Sequence, residues 1–264
     1  MTRVGRRFAG YAFDLDGTVY LGDSLLPHAA ETIRTIRAGG GRVVFVTNKP
    51  LETAADYAAM LSRLGIPAKA DDIVTALDSL FRYMEERHAG ARVLPVTEPL
   101  VAESLAQRGF EVTADPAAVD VVVVAFDRTF DYAKLNAAYR AVKLHGAALV
   151  ATNPDPYCPT PDGGLPDCAA MLAAIEASSG GKAEAVLGKP SPFMARAVLA
   201  RLATPAHDAA LVGDRIATDI AMARTEGMTA ILVLTGASSR DDVQHSALKP
   251  DFVIESLAEL LPDS

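Results

Sequence analysis

Four short apolar runs that each stop abruptly in polar residues constrain this chain more than any other feature. Tyr11-Ala12-Phe13 runs into Asp14, Val43-Val44-Phe45-Val46 into Thr47-Asn48, Ala185-Val186-Leu187 into Gly188-Lys189, and Ala209-Ala210-Leu211-Val212 into Gly213-Asp214. A run that is apolar in both side-chain directions suits a strand of a parallel sheet with helices on each face. Amphipathic stretches at 29–38, 192–203 and 218–226 supply that cover, and strand-like runs at 230–234 and 252–254 complete the sheet. In an open α/β sheet ligands bind beyond the carboxyl ends of the strands, so the four polar clusters are expected along one rim.

Between the second and third clusters lies a long stretch with its own alternation. Strand-like runs at 92–96, 121–125 and 148–151 are interleaved with helical patterns at 99–108 and 132–145. A chain of 264 residues, half of them hydrophobic, can bury a core and carry an inserted domain. The expected division is a core over 1–78, an inserted α/β domain over 79–182 and a return to the core over 183–264.

Lys and Arg number 25 against 33 Asp and Glu, and no basic run is longer than Arg6-Arg7. The counterion-release footprint of a nucleic-acid binder is therefore missing, and so is long-range steering of an anionic substrate. A phosphate site in such a chain must be built locally, from a metal, oriented N–H groups and one or two placed cations. No segment reaches the roughly 18 apolar residues of a membrane span, and the first residues lack an apolar secretory core, so no membrane and a cytoplasmic location are expected. Cys158 and Cys168 are too few for a disulfide framework or a zinc site. The five histidines are scattered without ligand spacing, and the absence of Trp removes the best stacking platform for a nucleobase.

Asp14 and Asp16 stand two apart at a strand end, so both carboxylates can face one reacting centre. Gly17 permits a sharp turn, and Thr18 can satisfy the N–H groups that the turn opens. A carboxylate attacks a phosphate dianion poorly unless something neutralises the phosphoryl oxygens, and Mg²⁺ bound by one or two carboxylates is the usual agent. Asp214 can complete such a site with Asp14, while Asp219, five residues on, suits its edge. Lys189 precedes Pro190, where the backbone is turned away from helix, and can reach across the strand ends to the phosphoryl group. Thr47 and Asn48 offer a hydroxyl, an amide and exposed backbone N–H groups to the equatorial oxygens.

Taken together, DLDGT at 14–18, VTN at 46–48, GKPSP at 188–192 and VGDRIATDI at 212–220 resemble the four ordered motifs of the haloacid dehalogenase superfamily. The resemblance implies a Rossmann-like core with Asp14 as nucleophile, Asp16 as general acid and base, Thr47 as a phosphate-binding hydroxyl and Lys189 as the neutralising cation. It implies Mg²⁺ held by Asp14, the Asp16 carbonyl and Asp214, with Asp219 assisting. The insert, with FDRTFDYAKL at 126–135 and ATNPD at 151–155, is similar to the type IIA cap of the nitrophenylphosphatase, phosphoglycolate phosphatase and NagD-like branch. Caps of that type imply a homodimer formed through the cap.

The function expected is hydrolysis of a small phosphorylated metabolite: a sugar phosphate, a phosphoglycolate-like acid or a nucleotide monophosphate. A phosphotransferase or phosphomutase would differ only in what the phosphoenzyme meets next. A non-catalytic phosphoacceptor needs neither Asp16 nor a cap. Asn153, Asp155 and Asp162 are the cap residues expected to meet the leaving group. Lys49-Pro50 and Asp167-Cys168-Ala169 depart from the family wording near that position.

Overall fold

A computed structural model describes residues 4–158, 160 and 163–261. The chain begins with β1 (Gly10–Asp14), a small hairpin of β2 (Tyr20–Leu21) and β3 (Ser24–Leu25), α1 (Ala29–Ala38), β4 (Arg42–Thr47), α2 (Ala54–Arg63), β5 (Ile73–Thr75) and α3 (Ala76–Arg87). It continues through β6 (Arg92–Val96), α4 (Pro99–Gln107), β7 (Glu111–Val112), β8 (Val121–Val124), α5 (Tyr132–His145), β9 (Ala148–Ala151), β10 (Tyr157–Cys158), β11 (Leu165–Pro166), α6 (Cys168–Ser179) and β12 (Ala185–Val186). The last stretch holds α7 (Pro192–Leu202), β13 (Ala209–Gly213), α8 (Ala221–Thr225), β14 (Thr229–Val233), α9 (Arg240–His245) and β15 (Phe252–Ile254).

Six strands form the core sheet in the order β15-β14-β13-β1-β4-β5, all parallel. The strict alternation of a strand explains its two covers. Tyr11, Phe13, Val43, Phe45, Val212 and Ile231 point to one face, where Ile33 and Ile36 of α1 and Leu61 of α2 meet them. Ala12, Val44, Val46, Leu211 and Leu232 point to the other, against Met194, Val198 and Leu202 of α7 and Met222 of α8. The architecture is thus a Rossmann-like α/β core with helices on both faces.

The insert forms a second parallel sheet in the order β12-β9-β8-β6-β7. Its central strand is four consecutive valines, all buried, which divide between two apolar clusters. Val121 and Val123 meet α3 and α4, whereas Val122 and Val124 meet α5 and α6. One expectation from the sequence is corrected here. The run Ala185-Val186-Leu187 does not join the core sheet; β12 pairs in parallel with β9 at the edge of the insert's sheet. The sixth core strand is instead β5, whose three residues pair with β4. Apolarity reports that a run is buried, not which sheet buries it. The helix expected over 218–226 starts with a wider π-type turn, Ile216–Ile220, before α8 takes over.

Among the described residues, no helix is long and apolar enough to cross a membrane. The aromatic stack of Tyr11, Phe13 and Phe45 under α1 and α2 should carry much of the core's stability. Phe45→Ala removes a fully buried ring and should lower unfolding free energy by about 3–5 kcal/mol, read from the urea midpoint at unchanged slope.

Candidate active site

Three core strands, β1, β4 and β13, lead into the same rim. Asp14 ends β1, and the chain turns at once: Gly17, at a φ of 84°, donates its N–H to Tyr20 O, and Thr18 donates its hydroxyl to Asp14 Oδ2 at 3.2 Å. A side chain at Gly17 would be strained in that left-handed backbone and would meet Asp214 Oδ2 at 2.5 Å. Asp214 follows β13 and is fixed by the Ala237 N–H on its Oδ2 at 2.6 Å. The π-type turn then brings Asp219 back toward β13, where its Oδ2 accepts the Arg215 N–H at 3.1 Å. One such turn inside a helix often marks a functional position.

Lys189 is 3% exposed and sits between two of these acids, donating to Asp14 Oδ1 and, at 2.7 Å, to Asp219 Oδ1. Burial alone would lower its pKa, but the two carboxylates win and hold it above the ordinary lysine value. Asp14, Asp214 and Asp219 each bring a carboxylate oxygen within 4.8 Å of the others, and all three are buried. Burial, followed by repulsion from Asp219 and Asp214, pushes Asp14 up, while Lys189 pulls it down. The same two causes, burial and then Asp219, raise Asp214 to about 6. Three buried carboxylates against one ammonium leave negative charge that a hard divalent cation with oxygen ligands fits.

Asp14, Asp16, Thr47, Asn48, Asp155, Lys189, Asp214 and Asp219 line one cleft between core and cap. Asp16 lies outside the carboxylate cluster: its Oδ1 meets Lys49 Nζ and its Oδ2 accepts the Tyr20 hydroxyl, each at 3.3 Å. Thr47 Oγ1 accepts the Lys49 N–H at 3.1 Å. Two of the expected residues have other side-chain partners here. Asn48 donates its amide hydrogens to Asp155 Oδ2 at 2.8 Å and Lys189 O at 3.2 Å, and its Oδ1 accepts the Lys189 N–H at 2.7 Å. With both amide hydrogens committed, its side chain has no donor left for a phosphate oxygen and instead ties three loops together. Asn153 does not line the cleft; fully buried, it donates to Asn48 O at 3.1 Å and accepts the Asp155 N–H at 2.9 Å. Asp162 lies outside the described residues.

The cap closes the cleft with Asp167, which the sequence flags near the leaving group, and with two residues that it did not single out, Tyr157 and Cys158. Arg215 reaches over from the core, donating to Tyr157 O at 3.1 Å, facing Asp155 Oδ1 at 3.7 Å and stacking 4.8 Å over the Tyr157 ring. Its place beside Asp214 was the only local signal. Asp167 caps α6 and is raised to about 7, chiefly by burial. The cavity that remains holds about 40 Å³, a few waters or one phosphoryl group, so a larger leaving group requires the cap to move.

An acid pair on one turn, a buried lysine, a cation-hungry carboxylate cluster and a lid define a capped α/β enzyme of phosphoryl transfer. Known proteins agree. A family model described as haloacid dehalogenase-like hydrolase matches residues 11–111, and one described as HAD-hydrolase-like matches 186–260. The sugar-phosphatase AraL of Bacillus subtilis is 34% identical over 252 residues, covering 96% of this chain and 92% of the relative. The structure of a 4-nitrophenylphosphatase from Thermotoga maritima superposes with a TM-score of 0.87 at 34% identity, covering 96% of this chain and 95% of that one. A glycerol phosphate phosphatase of Mycobacterium tuberculosis in complex with magnesium gives a TM-score of 0.87 at 32% identity, covering 100% of this chain and 79% of that one. The chain belongs to the haloacid dehalogenase-like hydrolases, in the branch with a type IIA cap. It is a phosphomonoester hydrolase that acts on a small phosphorylated metabolite through an aspartyl-phosphate.

Two predictions follow from the cluster itself. Asp214 binds its proton more tightly folded than unfolded, so between 3.8 and about 6 the metal-free protein should lose stability as pH rises. A divalent cation takes the proton's place, so MgCl₂ should raise the melting temperature more at about pH 7.5 than at about pH 5; an equal gain at both contradicts this. Gly236→Ala would put a methyl carbon 2.0 Å from Asp214 Oδ2. Displacing that carboxylate should cut kcat/KM by about 100-fold.

Proposed function

We propose that Asp14 is the nucleophile and Asp16 the acid and base of a Mg²⁺-dependent phosphatase. The observation that carries this is the single buried ammonium of Lys189 shared by Asp14 and Asp219, with Asp214 beside them and Asp16 apart. Asp14 lies at the strand end with one oxygen engaged by Lys189 and the other by Thr18, a fixed orientation suited to attack in line. In the first step the Asp14–phosphorus bond forms, the ester P–O bond breaks, and Asp16 gives its proton to the departing alcohol oxygen. In the second, Asp16 takes a proton from water as that water attacks phosphorus, the Asp14–phosphorus bond breaks, and inorganic phosphate leaves.

Lys189 neutralises phosphoryl oxygens as charge builds on them, and Thr47 donates its hydroxyl to one of them. When bound, Mg²⁺ would be held by Asp14, Asp214 and the Asp16 carbonyl, with Asp219 assisting, and would offset the repulsion between carboxylate and phosphate. Asp155 meets the leaving group from the cap, and the cap keeps water away from the first step. A sugar phosphate, a phosphoglycolate-like acid or a nucleotide monophosphate fits this chemistry. A cytoplasmic location and a homodimer through the cap belong to the same reading; the exposed Tyr132 and Leu144 on α5 give the cap apolar surface for the second.

Phosphate release from an aryl phosphate, with and without Mg²⁺, tests the assignment. Asp14→Asn should abolish turnover, and Asp16→Asn should accumulate a phosphoenzyme that hydrolyses slowly, visible in the mass of the intact protein. Near-normal turnover by Asp14→Asn would refute it.

A further inference from the structure

We propose that Asn48 is a positioning residue through which the seated cap holds Lys189 in line, so that the cap acts on both chemical steps and not on the departure of the alcohol alone. The inference rests on the phosphatase reading above. The ammonium of Lys189 can serve Asp14 and a phosphoryl group together only if its main chain is fixed, and one side chain fixes it at two points. Asn48 Oδ1 accepts the Lys189 N–H at 2.7 Å, and Asn48 Nδ2 donates to Lys189 O at 3.2 Å. Gly188 permits that approach: a methyl carbon there would lie 2.5 Å from Asn48 Oδ1 and 2.7 Å from Thr152 O.

The other side of the same residue is held by the cap. Asn48 Nδ2 gives its second hydrogen to Asp155 Oδ2 at 2.8 Å, and Asn48 O accepts from Asn153 Nδ2 at 3.1 Å. Asn153 in turn accepts the Asp155 N–H at 2.9 Å, so the cap turn grips Asn48 as one unit. Among the described residues the Asn48 amide is the one hydrogen-bond donor to the Asp155 carboxylate: Oδ1 is buried without a hydrogen bond, and Arg215 faces it at 3.7 Å. Asn48, Asn153, Asp155 and Lys189 are all buried, so water does not readily replace a lost partner. An amide with its oxygen and both hydrogens committed has one orientation. A cap that lifts takes the acceptor away, leaves a buried N–H unpaired and frees the side chain to turn off the Lys189 backbone. Misplacing a reacting group by about 1 Å can cost about 100-fold in rate.

Oxygen exchange between water and inorganic phosphate labelled with heavy oxygen separates this role from contact with a leaving group. In the exchange the bond from Asp14 to phosphorus forms as one phosphate oxygen departs as water with the proton of Asp16, and the step then reverses with a fresh water; no alcohol takes part. With the full chain and Mg²⁺, and the label read from the mass of the phosphate, Asn48→Ala and Asp155→Ala should each slow exchange by at least about tenfold. The double variant should lose no more than the worse single one, because both changes cut the same tie. Asn48→Asp keeps the size and the acceptor for the Lys189 N–H but repels Asp155; it should lose as much, and it stands in for Asn48→Ala if that variant melts early. Exchange at the wild-type rate in either single variant would overturn the proposal, since Asp155 would then serve the alcohol alone. Losses that multiply in the double variant would overturn it too, since the two residues would then act separately. A wild type that neither exchanges label nor releases phosphate from 4-nitrophenyl phosphate defeats the phosphatase reading itself.

Discussion

One buried ammonium between two buried carboxylates is the interaction on which the rest of this structure depends. Removing either kind of partner would leave an uncompensated charge inside the protein, at a cost of about 3–5 kcal/mol. Lys189 thereby locks the loop after β12 to the end of β1 and to the π-type turn that follows β13. The remaining acid, Asp214, has no lysine of its own and is steadied by the Ala237 N–H. The site is thus built with surplus negative charge in a region that water barely reaches. Such an arrangement is poor for stability and apt for gripping a cation and a phosphoryl group together.

Cap and core are joined by polar contacts that converge on the same lysine. Asn48 bonds the backbone of Lys189 on one side and Asp155 of the cap on the other. Arg215, next to Asp214, holds the Tyr157 carbonyl and ring. One side chain, Asn48, thus ties the cap to the loop that carries Lys189.

Much of this was legible in the sequence, for physical reasons. Runs such as Val121-Val122-Val123-Val124 can be nothing but a strand covered on both faces, and the strand-end acids lie where an α/β sheet binds ligands. Asp14, Asp16, Thr47, Lys189 and Asp214 were readable as one rim because each lies within two or so residues of the end of an apolar run, and Asp219 because it follows Asp214 by five. The sheet to which Ala185-Val186 belongs was not readable, since pairing depends on neighbours distant in the chain. Nor was the three-residue β5, too short to show a period. That the Asn48 side chain holds Asp155 was not readable either, since the two lie 107 residues apart. Tyr157 was hidden for the same reason: its place appears only when the cap folds back over the core.

The most direct measurement is a crystal structure of the protein soaked with Mg²⁺ and fluoroberyllate, a mimic of the bound phosphoryl group. The account predicts beryllium on an Asp14 oxygen, Lys189 against its fluorides, and the metal between Asp14 and Asp214. Fluoroberyllate on another carboxylate, or a metal seated away from those two aspartates, would contradict it.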